Sequence, residues 1–152
     1  MFHVVDDSEI LREMLVEMIE SHGSTAIPFA SALEYLEYVR SDQFKPPSAV
    51  ITDVHMPHMS GYEMMEQVLA INPSIQFAVL SGEPNIPSRY KDKACLFLEK
   101  PCAGHQIQKM IHIFKHCESN APPSPGIDDT QFCDRGIFDL SSSCSCPKQS
   151  CG

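Results

Sequence analysis

Apolar and polar positions in this chain follow two alternating periods. Phe2-His3-Val4-Val5, Thr25 to Phe29, Ser48-Ala49-Val50-Ile51-Thr52, Ile75 to Leu80 and Ala94 to Leu98 are short apolar blocks of the kind that form buried strands. Between them the spacing changes. Leu11, Met14, Leu15, Met18 and Ile19 share one helical face, Met64, Val68 and Ile71 a second, and Ile107, Met110, Ile111 and Phe114 a third. The ends of these helices are marked. Gly23 suits a left-handed C-terminal stop. Ser31 with Glu34 opens a helix through about Arg40, and Ser60 with Glu63 opens another, each in a capping-box pattern. Strand and helix in turn predict a parallel sheet wrapped by helices. One interval breaks the rhythm. Gly82, Pro84 and Pro87 lie between Ser81 and Ala94, so a loop with one turn of helix is expected there instead of a full fourth helix.

The 152 residues suffice for one domain with a sizeable core. No apolar run reaches the ~18 residues of a membrane span, and no basic-then-apolar leader opens the chain, so the expected location is the cytoplasm. The net charge of −9 speaks against nucleic acid as a partner, since phosphate backbones attract Lys and Arg. Seven cysteines are an odd total. Without a leader they argue against a disulfide framework.

Polar residues collect where strands end. Asp6 and Asp7 follow the first strand, Asp53 ends the third, Ser81 ends the fourth, and Lys100 lies just past the fifth. In an open parallel sheet such strand ends form the binding site. Order 2-1-3-4-5 would bring all five residues together. Three neighbouring carboxylates repel one another unless a cation offsets them, and Mg²⁺ takes oxygen ligands beside phosphate groups. A carboxylate is also a competent nucleophile toward a phosphoryl group, with a lysine to neutralise developing charge. The competing reading of Asp7 or Ser8 is a helix cap. Capping leaves Ser81 and Lys100-Pro101 at the matching strand ends unexplained.

Four motifs then converge: Val4-Val5-Asp6-Asp7-Ser8, the run from Thr52-Asp53 through Met56-Pro57 to Ser60-Gly61, Leu80-Ser81-Gly82, and Glu99-Lys100-Pro101. In content, order and spacing the chain resembles the response-regulator receiver family of two-component signalling over roughly residues 1 to 117. The resemblance implies an α/β, doubly wound, five-stranded parallel sheet of flavodoxin-like order 2-1-3-4-5. It implies Asp53 as phosphoacceptor, and Mg²⁺ held by Asp6, Asp7, Asp53 and the backbone carbonyl of His55. Ser81 and Lys100 would hold the phosphoryl group, and Ser81 and Phe97 would form the switch. His55 and Glu83 occupy the positions that tune phosphoryl lifetime. The implied donor is a sensor histidine kinase or a His-phosphotransfer protein, and the output an unknown downstream protein. Such a chain is a stand-alone phospho-switch, not an enzyme acting on an external substrate.

Three features depart from the family pattern, one being that Phe97 lacks the hydroxyl a Tyr would have. The Ser81–Lys100 interval is short, and Cys102 stands where a larger apolar residue is common, from which only a packing change is expected. Asp53-Val54-His55 also begins a cobalamin-binding signature, but the glycine it requires falls on His58. His105, His112 and His116 share a helix face opposite the apolar stripe and read as solvated.

After Cys117 the composition shifts. Ala121-Pro122-Pro123-Ser124-Pro125-Gly126 is linker-like, and residues 118–152 read as a flexible tail. Its Cys133, Cys144, Cys146 and Cys151 match the number of thiolates a structural Zn²⁺ takes, without the paired Cys-x-x-Cys knuckles. A metal- or redox-responsive adaptor using the fold as a scaffold is therefore the alternative function.

Overall fold

A computed structural model describes residues 1–83, 85–119 and 139–140. The elements run β1 (Phe2–Val5), α1 (Glu9–Ser21), β2 (Ala26–Phe29), α2 (Ala32–Val39), β3 (Ala49–Asp53), α3 (Gly61–Ile71), β4 (Phe77–Ser81), β5 (Leu96–Glu99), α4 (Gly104–Ser119) and β6 (Asp139–Leu140). β1 to β5 are parallel in the order β2-β1-β3-β4-β5, as the alternation of elements implied. β6 adds a two-residue antiparallel strand beyond β5, which the sequence pattern did not foreshadow.

The sheet carries a core on each face because successive strand residues point to opposite sides. Val5, Val50, Val79 and Phe97 face α2 and α3, where Tyr35, Leu36, Met64, Met65 and Val68 close one cluster. Val4, Ile51, Leu80, Leu96 and Leu98 face α1 and α4, against Leu15, Ile19, Ile107, Met110 and Phe114. Each large apolar side chain buried in this way contributes about 1.5–3 kcal/mol.

The marked helix ends behave as their chemistry requires. Ser60 Oγ accepts the Glu63 N–H at 3.1 Å while Glu63 Oε2 accepts the Ser60 N–H at 3.2 Å, a complete capping box. At α2 the Ser31 half is present, but the Glu34 carboxylate takes the N–H of Ala30 instead of Ser31. Gly23 ends α1 with φ at +77°, a region glycine enters without a Cβ penalty.

Between β4 and β5 the described residues form a single 3₁₀ turn, Ser88–Tyr90, as the prolines predicted. Tyr90 stacks on Tyr62 of α3 with ring centroids 4.3 Å apart and planes 4° from parallel. Arg89 donates to both Glu66 carboxylate oxygens at 2.9 Å, and Lys93 to one of them at 2.8 Å. These hydrogen bonds, Lys93's foremost, hold the Glu66 carboxyl below the usual range. A stacked ring pair and a solvated ion-pair cluster thus replace the missing helix.

Candidate functional site

β1 and β3 are direct neighbours, with Val5 paired to Thr52, so Asp6 and Asp53 emerge side by side from the carboxyl end of the sheet. Carboxylate oxygens of Asp6, Asp7 and Asp53 all lie within 4.8 Å of one another. Asp6 and Asp53 are buried and Asp7 is exposed. Lys100, immediately after β5, reaches across with Nζ 3.0 Å from Asp53 Oδ1 and 3.7 Å from Asp6 Oδ2. Of the five residues expected to converge, these four lie together.

The main chain fixes the carboxylates. Asp53 Oδ1 accepts the Val54 N–H at 2.8 Å, and Asp6 Oδ1 accepts the Ser8 N–H at 2.8 Å. Ser8 stands at the N-cap of α1 but makes no side-chain cap. Asp6 Oδ2 has no hydrogen-bond partner although it is buried. Burial raises the Asp6 pKa above the ordinary carboxylate value. Asp53 and Asp7 add to that rise, while the Ser8 N–H and Lys100 oppose it. A buried, incompletely satisfied oxygen in an all-oxygen donor set is what a hard divalent cation stabilises, so these residues fit Mg²⁺.

Ser81, the last residue of β4, turns its hydroxyl onto its own loop and accepts the Glu83 N–H at 3.0 Å. Phe97, within β5, is buried against the core that contains Tyr62, Tyr90 and Ala94. His55 Nε2 lies 3.1 Å from Glu83 Oε1, joining the loops after β3 and β4. The Lys100–Pro101 peptide bond is cis. Cys102 packs half-buried on the α1–α4 side, and burial pushes its thiol pKa up. Cys133, Cys144, Cys146 and Cys151 lie outside the described residues. The described metal-type cluster is the aspartate trio alone.

Three contributors went unassigned in the sequence. A Cβ at Gly61 would collide with the Asp53 carbonyl oxygen, while the Gly61 N–H donates to Val54 O at 2.9 Å. The start of α3 is thereby pressed against the aspartate's own peptide. Its signal was a glycine directly after a capping serine. Thr52 Oγ1 donates to the Asp53 carbonyl at 2.9 Å, and Arg12 Nη1 to the Asp6 carbonyl at 2.7 Å. Neither contact has a sequence signal, since a threonine or an arginine at such a place marks no particular hydrogen bond.

Beside Lys100 an apolar groove of about 440 Å³ opens between α1 and α4, lined in part by Leu11, Met14, Leu15, Pro101 and Ile107. Ile10 is 79 % exposed at the same end of α1.

The family model for the response regulator receiver domain matches residues 2–112. The uncharacterized transcriptional regulatory protein YesN of Bacillus subtilis is 35 % identical over 109 residues, which is 68 % of this chain and 29 % of that protein. The transcriptional regulatory protein FixJ of Azorhizobium caulinodans is 33 % identical over 103 residues, 65 % of this chain and 47 % of that protein. The chain thus spans less than half the length of these relatives. A CheY-like receiver domain structure from Methanospirillum hungatei shares the fold, with a TM-score of 0.68 at 18 % identity over 79 % of this chain and 97 % of that one.

Proposed function

The chain belongs to the response regulator receiver domains, and from that premise we propose that Asp53 accepts a phosphoryl group from a phosphohistidine donor, a histidine kinase or a His-phosphotransfer protein. The observation that carries this reading is the 3.0 Å contact of Lys100 with Asp53 inside a trio of carboxylates. A carboxylate, an ammonium group and a metal-type donor set gathered at one point support it.

In the proposed transfer, an Asp53 carboxylate oxygen forms a bond to phosphorus. The bond from phosphorus to the donor's imidazole nitrogen breaks, and that nitrogen keeps the electron pair. Lys100 stabilises charge on the transferring oxygens, because its ammonium already sits beside the acceptor. Asp6, Asp7, Asp53 and the His55 carbonyl would hold Mg²⁺, which supplies further charge neutralisation there. Ser81 must give up its Glu83 amide contact to reach the phosphoryl group, and Phe97 shares its strand with the residues that lead to Lys100. That pair is the proposed two-state element. The His55–Glu83 contact joins the loops that follow Asp53 and Ser81, which supports a role in phosphoryl lifetime. The apolar groove beside Lys100 offers the donor an adjacent surface, and the charge of −9 favours protein over nucleic acid as the output partner.

The test is intact mass after incubation with acetyl phosphate, with and without Mg²⁺, beside Asp53→Ala. One phosphoryl group gained only with Mg²⁺, and only with Asp53 present, is expected. Where no adduct accumulates, beryllofluoride binding reads the same site without turnover. Absence of both, or an adduct surviving in Asp53→Ala, overturns the assignment.

A further inference from the structure

The sheet ends differently on its two sides. β2 closes one side with Pro28 inside the strand, exposed on the outer edge. Proline has no N–H to offer, so it blunts an edge against further pairing. β5 carries no such device. Leu96-Phe97-Leu98 is an unbroken apolar run, and the described residues of the connection that leads into it hold a single 3₁₀ turn.

The hydrogen bonding of β5 shows where its open side points. The Cys95 N–H donates to the Phe77 carbonyl at 2.8 Å, toward β4. Alternation along the strand then turns the Leu96 N–H and C=O the other way, to the outer edge. There β6 lies antiparallel, Leu140 opposite Leu96 and Asp139 opposite Phe97.

We propose that the outer edge of β5 is a strand-docking surface whose resident occupant is this chain's own Asp139–Leu140. An edge with unpaired amides, an apolar sequence and no proline recruits an extended strand. A tethered segment fills it at an effective concentration that a free partner has to exceed. The surface also has a strategic place, since Phe97 is in direct register with the docked strand and β5 ends one residue before Lys100.

The test is amide exchange read by NMR on the full chain, without phosphoryl donor or Mg²⁺, so it stands apart from the phosphoacceptor assignment. In the wild type the Leu96 amide should be protected. A cross-strand contact between the Hα protons of Phe97 and Asp139 should also be seen. The double variant Asp139→Pro/Leu140→Pro should speed Leu96 exchange by roughly tenfold or more, with Ile51 and Val79 in the inner strands unchanged. An unprotected Leu96 in the wild type, protection that survives both prolines, or a missing Phe97–Asp139 contact overturns the proposal. Protection that falls on dilution assigns the edge to a second copy of the chain and overturns the intramolecular occupant.

Discussion

His3 and Asp6 lie three positions apart, one within β1 and the other just past its end. Both are buried, and each keeps one polar atom, His3 Nε2 and Asp6 Oδ2, without a hydrogen bond. Their surroundings resolve the same problem in opposite ways. His3 is ringed by Phe29, Tyr35, Tyr38 and Phe44, and its Nδ1 meets the Tyr35 hydroxyl at 3.0 Å. Burial, helped by the nearby chain amino group, pushes its pKa down to about 4, so it stays neutral. Asp6 sits among other carboxylates with Lys100 at 3.7 Å. The aromatic pocket keeps the charge off down to about pH 4. The acidic pocket tolerates it and leaves an oxygen ready for a cation. A buried orphan atom is thus a packing matter in one place and a binding feature in the other, and the neighbouring charges decide which.

Four changes break or sharpen that contrast, taken from the largest effect to the smallest. Acid should act first through the aromatic pocket. Above pH 6.5 His3 is neutral whether folded or unfolded. Below it the unfolded chain binds a proton that the folded one refuses, down to about pH 4. His3 should therefore withdraw roughly 3 kcal/mol of stability as pH falls through that window. Urea unfolding at pH 7 and pH 4.5 should show the loss, and His3→Leu should flatten it. Asp6 carries the opposite sign. Its raised pKa means the ionised folded form is disfavoured, so acidification just above the ordinary aspartate value relieves it.

Gly61→Ala attacks the acidic pocket through its backbone. The added methyl would force α3 off the Asp53 carbonyl, at a cost of about 2–3 kcal/mol. Thermal unfolding should show that cost together with weakened Mg²⁺ binding. An unchanged Tm would mean that the close approach is not a constraint.

Asp6→Asn separates stability from binding. Removing one buried charge of the trio should raise the metal-free Tm by about 4 °C. The Mg²⁺-induced rise in Tm should shrink in the same variant. A metal-free Tm that falls would contradict the unfavourable charge assigned to Asp6. Arg89→Ala is the smallest perturbation, because its ion pair with Glu66 is solvated. Tm should hold, while amide exchange around residues 88–90 quickens.

The parallel order and the convergence of Asp6, Asp7, Asp53 and Lys100 were legible in the sequence. They follow from local signals: apolar blocks, capping serines, and polar residues at strand ends. The single turn before β5 was legible for the same reason, since Pro87 and its neighbours forbid a long helix locally. Strand starts were less so. β4 begins at Phe77, not Ile75, and β5 at Leu96, not Ala94, because pairing with the neighbouring strand sets the first ladder residue. The aromatic pocket was illegible. His3 reads as an ordinary strand residue until α2 and the loop bearing Phe44 fold over it. The same holds for the Tyr62–Tyr90 stack, the His55–Glu83 contact and β6, each of which joins residues from separate elements.

The adjacency of β1 and β3 also bears on when the site comes into being during synthesis. Asp6 and Asp53 meet only after the first three strands have left the ribosome, and Lys100 only after the fifth. Domains fold as units once enough chain has emerged. A nascent chain stopped short of Lys100 therefore carries the carboxylates without their counter-charge. The site's full charge set therefore comes together only once Lys100, just past the fifth strand, has been made.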